Sequence, residues 1–94
     1  MWRIAEIAIV DMQHIAENGM IDFGEHHARK YTARLLDMFD TLAEMPYLAQ
    51  ERQASFHVVR IMPCGAHNIV YMVDDEDVVI LRVLHGLQNW FELL

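Results

Sequence analysis

Residues 55–85, SFHVVRIMPCGAHNIVYMVDDEDVVILRVLH, constrain the fold more than any other part of the chain. Val58, Val59, Ile61, Ile69, Val70, Tyr71, Val73, Val78, Val79, Ile80 and Val83 are β-branched or aromatic, the types that suit a pleated, half-buried surface. The segment divides into three expected strands, at Ser55–Met62, His67–Val73 and Val78–Leu84. Pro63-Cys64-Gly65-Ala66 and Asp74-Asp75-Glu76-Asp77 supply the turns between them. Connections this short force neighbouring strands antiparallel.

The residues upstream read as a cover for one face of that sheet. Trp2-Arg3-Ile4 is expected to form a short first strand at the sheet edge. A first helix is expected over Glu6–Asn18, with Ala8, Met12, Ile15 and Gly19 as its core stripe. Ile9 and Val10 fall off that stripe, so they either touch the second helix or offer apolar surface to a partner. Gly19-Met20-Ile21-Asp22 is the expected break, with Asp22 and Glu25 spaced as a capping box. The second helix is expected over Phe23–Glu44, stopped by Pro46. Ala28, Tyr31, Leu35, Met38, Leu42 and Met45 mark its buried stripe, widened by Phe39. Tyr47–Ala54 then reads as a connection to the sheet. The expected fold is therefore α+β, in the order β-α-α-β-β-β, with a helical hairpin packed on a small antiparallel sheet. The 94 residues show no internal repeat or interdomain linker and read as a single domain, 1–94.

Strand alternation separates two faces. With Cys64-Gly65 at the centre of a two-residue turn, Met62 pairs with His67, Arg60 with Ile69 and Val58 with Tyr71. One face then carries Val59, Ile61, Val70, Met72, Val79, Leu81 and Val83. It is the purer apolar face and is expected to meet the helices. The other carries Arg60, Met62, His67, Ile69, Tyr71, Ile80, Arg82 and Leu84, and is the candidate working surface. The plainer alternative is an ordinary solvent face from which Arg60 and Arg82 snorkel. A one-residue slip in a turn would exchange the faces for a strand.

Composition narrows the chemistry. The net charge is −7, with Lys30 the only lysine. This argues against non-specific nucleic-acid binding and against an anionic membrane surface. Partners are expected to carry a basic segment or to bind by apolar burial. Hydrophobic residues make up 54%, enough to suggest an exposed apolar groove that a partner covers. Cys64 is the only cysteine, which precludes an internal disulfide and fits a reducing cytoplasm. No secretory signal or membrane span is recognised.

Six histidines invite a metal reading, but no three converge at ligand spacing. His26 and His27 point about 100° apart on a helix. No cofactor is expected. Ser55 is the only serine and lies in no nucleophile elbow, and the acidic turn lacks the spacing of a calcium loop. General acid-base cleavage of RNA would need a base, an acid and cations to stabilise the developing charge. His67, Tyr71, Arg60 and Arg82 could supply that set on one face, in an acidic field with no lysine nearby.

In order and spacing the motifs resemble the RelE/ParE superfamily of type II toxin–antitoxin toxins, most closely the ParE branch. The likeness rests on Trp2-Arg3-Ile4, Asp11-Met12, Gly24, Ala28, Tyr31, Leu35, Phe39, Leu42-Ala43-Glu44 and Pro46. It is strongest at Val59-Arg60, Pro63, Gly65, His67, Ile69, Tyr71 and Arg82-Val83-Leu84-His85-Gly86. The resemblance implies a cognate antitoxin with a DNA-binding N-terminal part and a flexible C-terminal segment that wraps the toxin. It implies DNA gyrase as a target, reached by binding and not by catalysis; the RelE branch instead cuts mRNA on the ribosome. Ala66, Met72 and Leu87 stand where ParE-like sequences often carry arginine, which weakens the nuclease reading most and leaves open a relative that binds antitoxin without toxicity. Arg60, His67, Tyr71 and Arg82 are the expected contact residues of the sheet. Ile9 and Val10, with Trp90 and Phe91 in the apolar tail, are expected antitoxin contacts.

Overall fold

The computed structural model describes residues 1–54, 56–86, 88 and 93. Its elements are β1 (Trp2–Ile4), α1 (Glu6–Phe23), α2 (Glu25–Glu44), β2 (Glu51–Gln53), β3 (Val58–Cys64), β4 (His67–Asp74) and β5 (Asp77–His85). The strands form one sheet in the order β1-β5-β4-β3-β2. The expected α+β architecture is present, with β1 at one edge. Two features go beyond the expectation: β1 runs parallel to β5, and β2 adds an antiparallel strand at the opposite edge. Glu51-Arg52-Gln53 is exposed throughout, so no apolar alternation marks it as a strand.

The helical hairpin turns later than expected. Gly19-Met20-Ile21-Asp22 stays helical, and the chain reverses at Gly24, whose φ is 87°. Asp22 is thus the penultimate residue of α1, not a cap. Gly19 serves packing instead: a Cβ there would meet Ala28 Cβ at 3.3 Å, so its absence lets the two helices approach closely.

Helices and sheet enclose Ala8, Leu35, Phe39, Leu42, Ile69, Tyr71, Val78, Ile80 and Val83. The expected assignment of faces is therefore overturned. The helices cover the face carrying Ile69, Tyr71 and Ile80, while Val59, Val70 and Leu84 form a smaller cluster with Ala54. The ladder departs from the expected one in two places, and only the second explains part of this. The β3–β4 turn lies at Gly65-Ala66, so Cys64 pairs with His67 and Arg60 with Tyr71. Moving the turn by one residue changes each partner by two and leaves the faces of β3 and β4 unchanged. A bulge then leaves Leu81 extra between the pairs Val70–Arg82 and Tyr71–Ile80. Beyond it Val83 joins the helix-facing core and Leu84 moves to the other cluster. The rest of the reversal comes from Arg60, whose charged end reaches partners at the margin of the interface, while Arg82, now opposite Val70, reaches Asp11 at the edge of β5.

Tyr71 is completely buried. Its hydroxyl donates to the Pro46 carbonyl at 2.9 Å and accepts the Ala49 amide at 3.2 Å. It fastens the exit of α2 to the middle of the sheet and is no part of an open working face. At the other margin Trp2 packs edge-on to Phe39, with centroids 5.1 Å apart, and its indole N–H donates to Asp40 at 2.8 Å.

Candidate functional site

Where β1 ends at Ile4, no further strand among the described residues lies beside that edge of β5, and α1 takes over. Asp11 of α1 faces that edge. Its Oδ2 accepts Arg82 Nε at 2.8 Å and the backbone N–H of Val83 at 3.0 Å, while Oδ1 accepts the terminal guanidinium nitrogen of Arg82 at 3.0 Å. The two side chains are only 16% and 12% exposed. Bonding to Asp11 raises the Arg82 pKa above its ordinary value, against the opposing effect of burial. One carboxylate thus neutralises a guanidinium and closes an open strand edge.

A second node surrounds the β3–β4 turn. The Tyr31 hydroxyl, from α2, accepts the Ala66 amide at 3.0 Å and lies 3.2 Å from the Cys64 carbonyl and 2.6 Å from His67 Nδ1. Its single proton goes to the carbonyl or to Nδ1, according to the tautomer of His67. The turn accommodates the phenol only because residue 65 is glycine. A Cβ there would lie 2.6 Å from the Tyr31 ring and 2.7 Å from its oxygen, and φ is +60°. The His67 ring meets its ladder partner His85 edge-on at 5.5 Å. Burial, and then His85, lower the His67 pKa, with Asp11 acting the other way. Burial raises the Tyr31 pKa.

The two nodes border one cleft of about 880 Å³ between the helical hairpin and the end of the sheet. Tyr31, His14, Asn18 and Phe23 line it from the helices, and His67 and Val83 from the sheet. Among the described residues no group of three His, Cys, Asp or Glu side chains could hold a metal ion.

The expected sheet residues do not form one open surface. Arg60 lies at the other margin, donating to the Ala49 carbonyl at 2.6 Å and to Glu51 at 3.1 Å, with its guanidinium carbon 5.0 Å from the centre of the Tyr47 ring. Tyr71 is core, Arg82 is held by Asp11, and His67 alone of the four lines the cleft. Ile9 and Val10 are exposed, at 42% and 43%. Trp90 and Phe91 lie outside the described residues. In the sequence Tyr31 reads as a core position, and both it and Asp11 carry the family resemblance, but neither has a site role. The available signals were that Asp11 sits near the start of an apolar helix, and that His67 and His85 begin and end neighbouring strands.

Among curated proteins, none matches the chain in sequence. In structure it is similar to a chain described as "Chromosomal ParDE TA system from P. aeruginosa", with a TM-score of 0.77 at 16% identity. The match covers 89% of this chain and 92% of that one, and at this identity it speaks for the fold. A family model described as the ParE toxin of the type II toxin-antitoxin system, parDE, matches residues 3–90. With nearly the whole chain inside that match, and the fold agreeing, the chain belongs to the ParE toxin family of type II toxin–antitoxin systems.

Proposed function

We propose that the chain arrests growth in the cytoplasm by binding and poisoning DNA gyrase, and that a cognate antitoxin neutralises it. The observation that carries the binding mode is the fate of the two sheet arginines. Cleaving a phosphodiester calls for cations free to meet charge that develops in the transition state. Arg82 is bonded at two points to Asp11, and Arg60 to the Ala49 carbonyl and Glu51. Both are spent on the fold, and Tyr71 is sealed inside it. This arrangement supports a toxin that acts through its surface and not through catalysis.

The antitoxin reading is supported by apolar side chains left in solvent on the helical hairpin, among them Ile7, Val10, Ile21 and Phe23. A flexible C-terminal segment, joined to a DNA-binding N-terminal part, would cover them.

The test is induction of the chain without its antitoxin. Filamentation, DNA breaks and stalled replication with intact mRNA are expected, together with inhibition of purified gyrase in a supercoiling assay. Co-expression of the neighbouring antitoxin gene should restore growth. Cleaved mRNA would replace this reading with a ribonuclease, and normal growth at verified soluble expression would replace it with a non-toxic binding relative.

A further inference from the structure

The exposed side of α1 carries a second helical repeat, distinct from the one that packs. Ile7, Val10, His14, Glu17 and Ile21 follow one another at alternating spacings of three and four residues, and all are exposed. Ile7 is 51% exposed, Val10 43% and Ile21 80%. That spacing is the seam of a helix that pairs lengthwise with another helix. The packed positions Ala8, Met12, Ile15 and Gly19 face away from it, so the ridge has no partner within the described residues. His14 places the ridge along the lip of the cleft.

Charge selects the occupant. α1 contains Glu6, Asp11, Glu17 and Asp22 and no lysine or arginine. Asp11 is neutralised by Arg82, which leaves Glu17 on the ridge itself and Glu6 and Asp22 next to its end residues Ile7 and Ile21. Asp22 sits in the last turn, where the helix carbonyls already present negative potential and no basic side chain offsets it. Two copies joined through α1 would set these carboxylates against each other, and an anionic membrane would repel them.

We propose that the outer ridge of α1 is a docking seam for a cationic amphipathic helix: aliphatic at the spacing of Ile7, Val10 and Ile21, with lysine or arginine facing Glu17 and Asp22. This rests on the reading that a protein antitoxin covers the chain, and it makes that antitoxin's docking segment basic.

Two designed helical peptides with the same leucine seam, one flanked by lysine and one by glutamate, test the seam directly by fluorescence anisotropy with the full chain. The lysine peptide should bind about tenfold or more tightly than the glutamate peptide, with the preference shrinking as salt rises. The double variant Glu17→Lys/Asp22→Lys should invert the preference. Lysine at Asp22 favours the helix C-terminus and lysine at exposed Glu17 is as good a helix former as glutamate, so this variant keeps its fold, checked by circular dichroism. Binding of neither peptide, equal binding, or a preference unchanged in the variant overturns the proposal. A dimer of the wild-type chain that Val10→Glu dissolves would give the seam to a second copy and overturns it as well. With the neighbouring antitoxin in place of the peptides, the double variant should lose about tenfold in affinity. Unchanged antitoxin affinity sinks the seam while leaving the toxin reading intact. Failure of both antitoxin binding and growth arrest sinks the toxin reading itself.

Discussion

Asp11 and Arg82 are 71 positions apart in the chain and meet in a two-point ion pair, 2.8 and 3.0 Å long, that also takes the backbone N–H of Val83. The pair locks α1 to β5 where β1 stops. Removing either partner strands a largely buried charge. Asp11→Ala and Arg82→Met should each lower unfolding free energy by about 3 kcal/mol. The double variant should lose less than the sum of the two. Urea denaturation of all four proteins checks this, and additive losses would mean that the pair is energetically idle.

Gly65 faces two demands at once, a positive φ and the Tyr31 phenol. Gly65→Ala should cost about 2–4 kcal/mol, combining left-handed strain with a steric clash. Adding Tyr31→Ala should relieve the clash and leave the strain. Thermal denaturation of the single and double variants separates the parts, and no relief in the double variant would refute the contact.

Tyr71 offers a contrast between structure and target binding. Tyr71→Phe keeps the ring and deletes the bonds to the Pro46 carbonyl and the Ala49 amide. Stability should fall by about 1–3 kcal/mol, because the amide and carbonyl lose a partner in a buried setting. The gyrase inhibition proposed above should, per folded molecule, stay unchanged. A selective loss of inhibition at full stability would return Tyr71 to the contact surface.

His67 makes stability sensitive to mild acid. Burial and the neighbouring His85 lower its pKa in the fold below the ordinary 6.5. The unfolded chain then takes up the proton first. The contribution is fully present above pH 6.5 and is lost as pH falls from there through the lower folded value. Tm should drop between neutral pH and mild acid, and His67→Phe should flatten that drop. An equal drop in the variant would assign the effect to other groups. Tyr31 and Tyr71 act in the opposite sense. Their pKa values rise on folding, so the stability they supply is present below 10 and is lost as pH climbs through the higher folded values.

Met45, named on the second helix stripe, falls just past the end of α2 and is exposed, but Ala8, Leu35, Phe39 and Leu42 are buried as the helical period expects. Those assignments succeeded because each depends on residues three or four positions apart. The strands from Val58 to His85 were equally legible, because β-branched content and short turns are local signals. The break between the helices was not: Gly19 looked like a terminus, but its role is to let Ala28 approach, which is a relation between two helices.

The order of elements, the three long strands, the helical hairpin and the acidic, nearly lysine-free composition were determined by the sequence itself, through periodicity, turn chemistry and charge. Which face of the sheet the helices cover was decided only in three dimensions. A face bearing Arg60, Tyr71 and Arg82 reads as polar along the chain. Once folded, Asp11 from α1, the Ala49 carbonyl and Glu51 satisfy the arginines, and the Pro46 carbonyl and the Ala49 amide satisfy Tyr71. Burying a polar group is costly only while it lacks a partner, and every one of those partners comes from a segment with no marked pairing to it in the sequence. The bulge at Leu81 is likewise a property of the β4–β5 ladder, and it alone carries Val83 into the core.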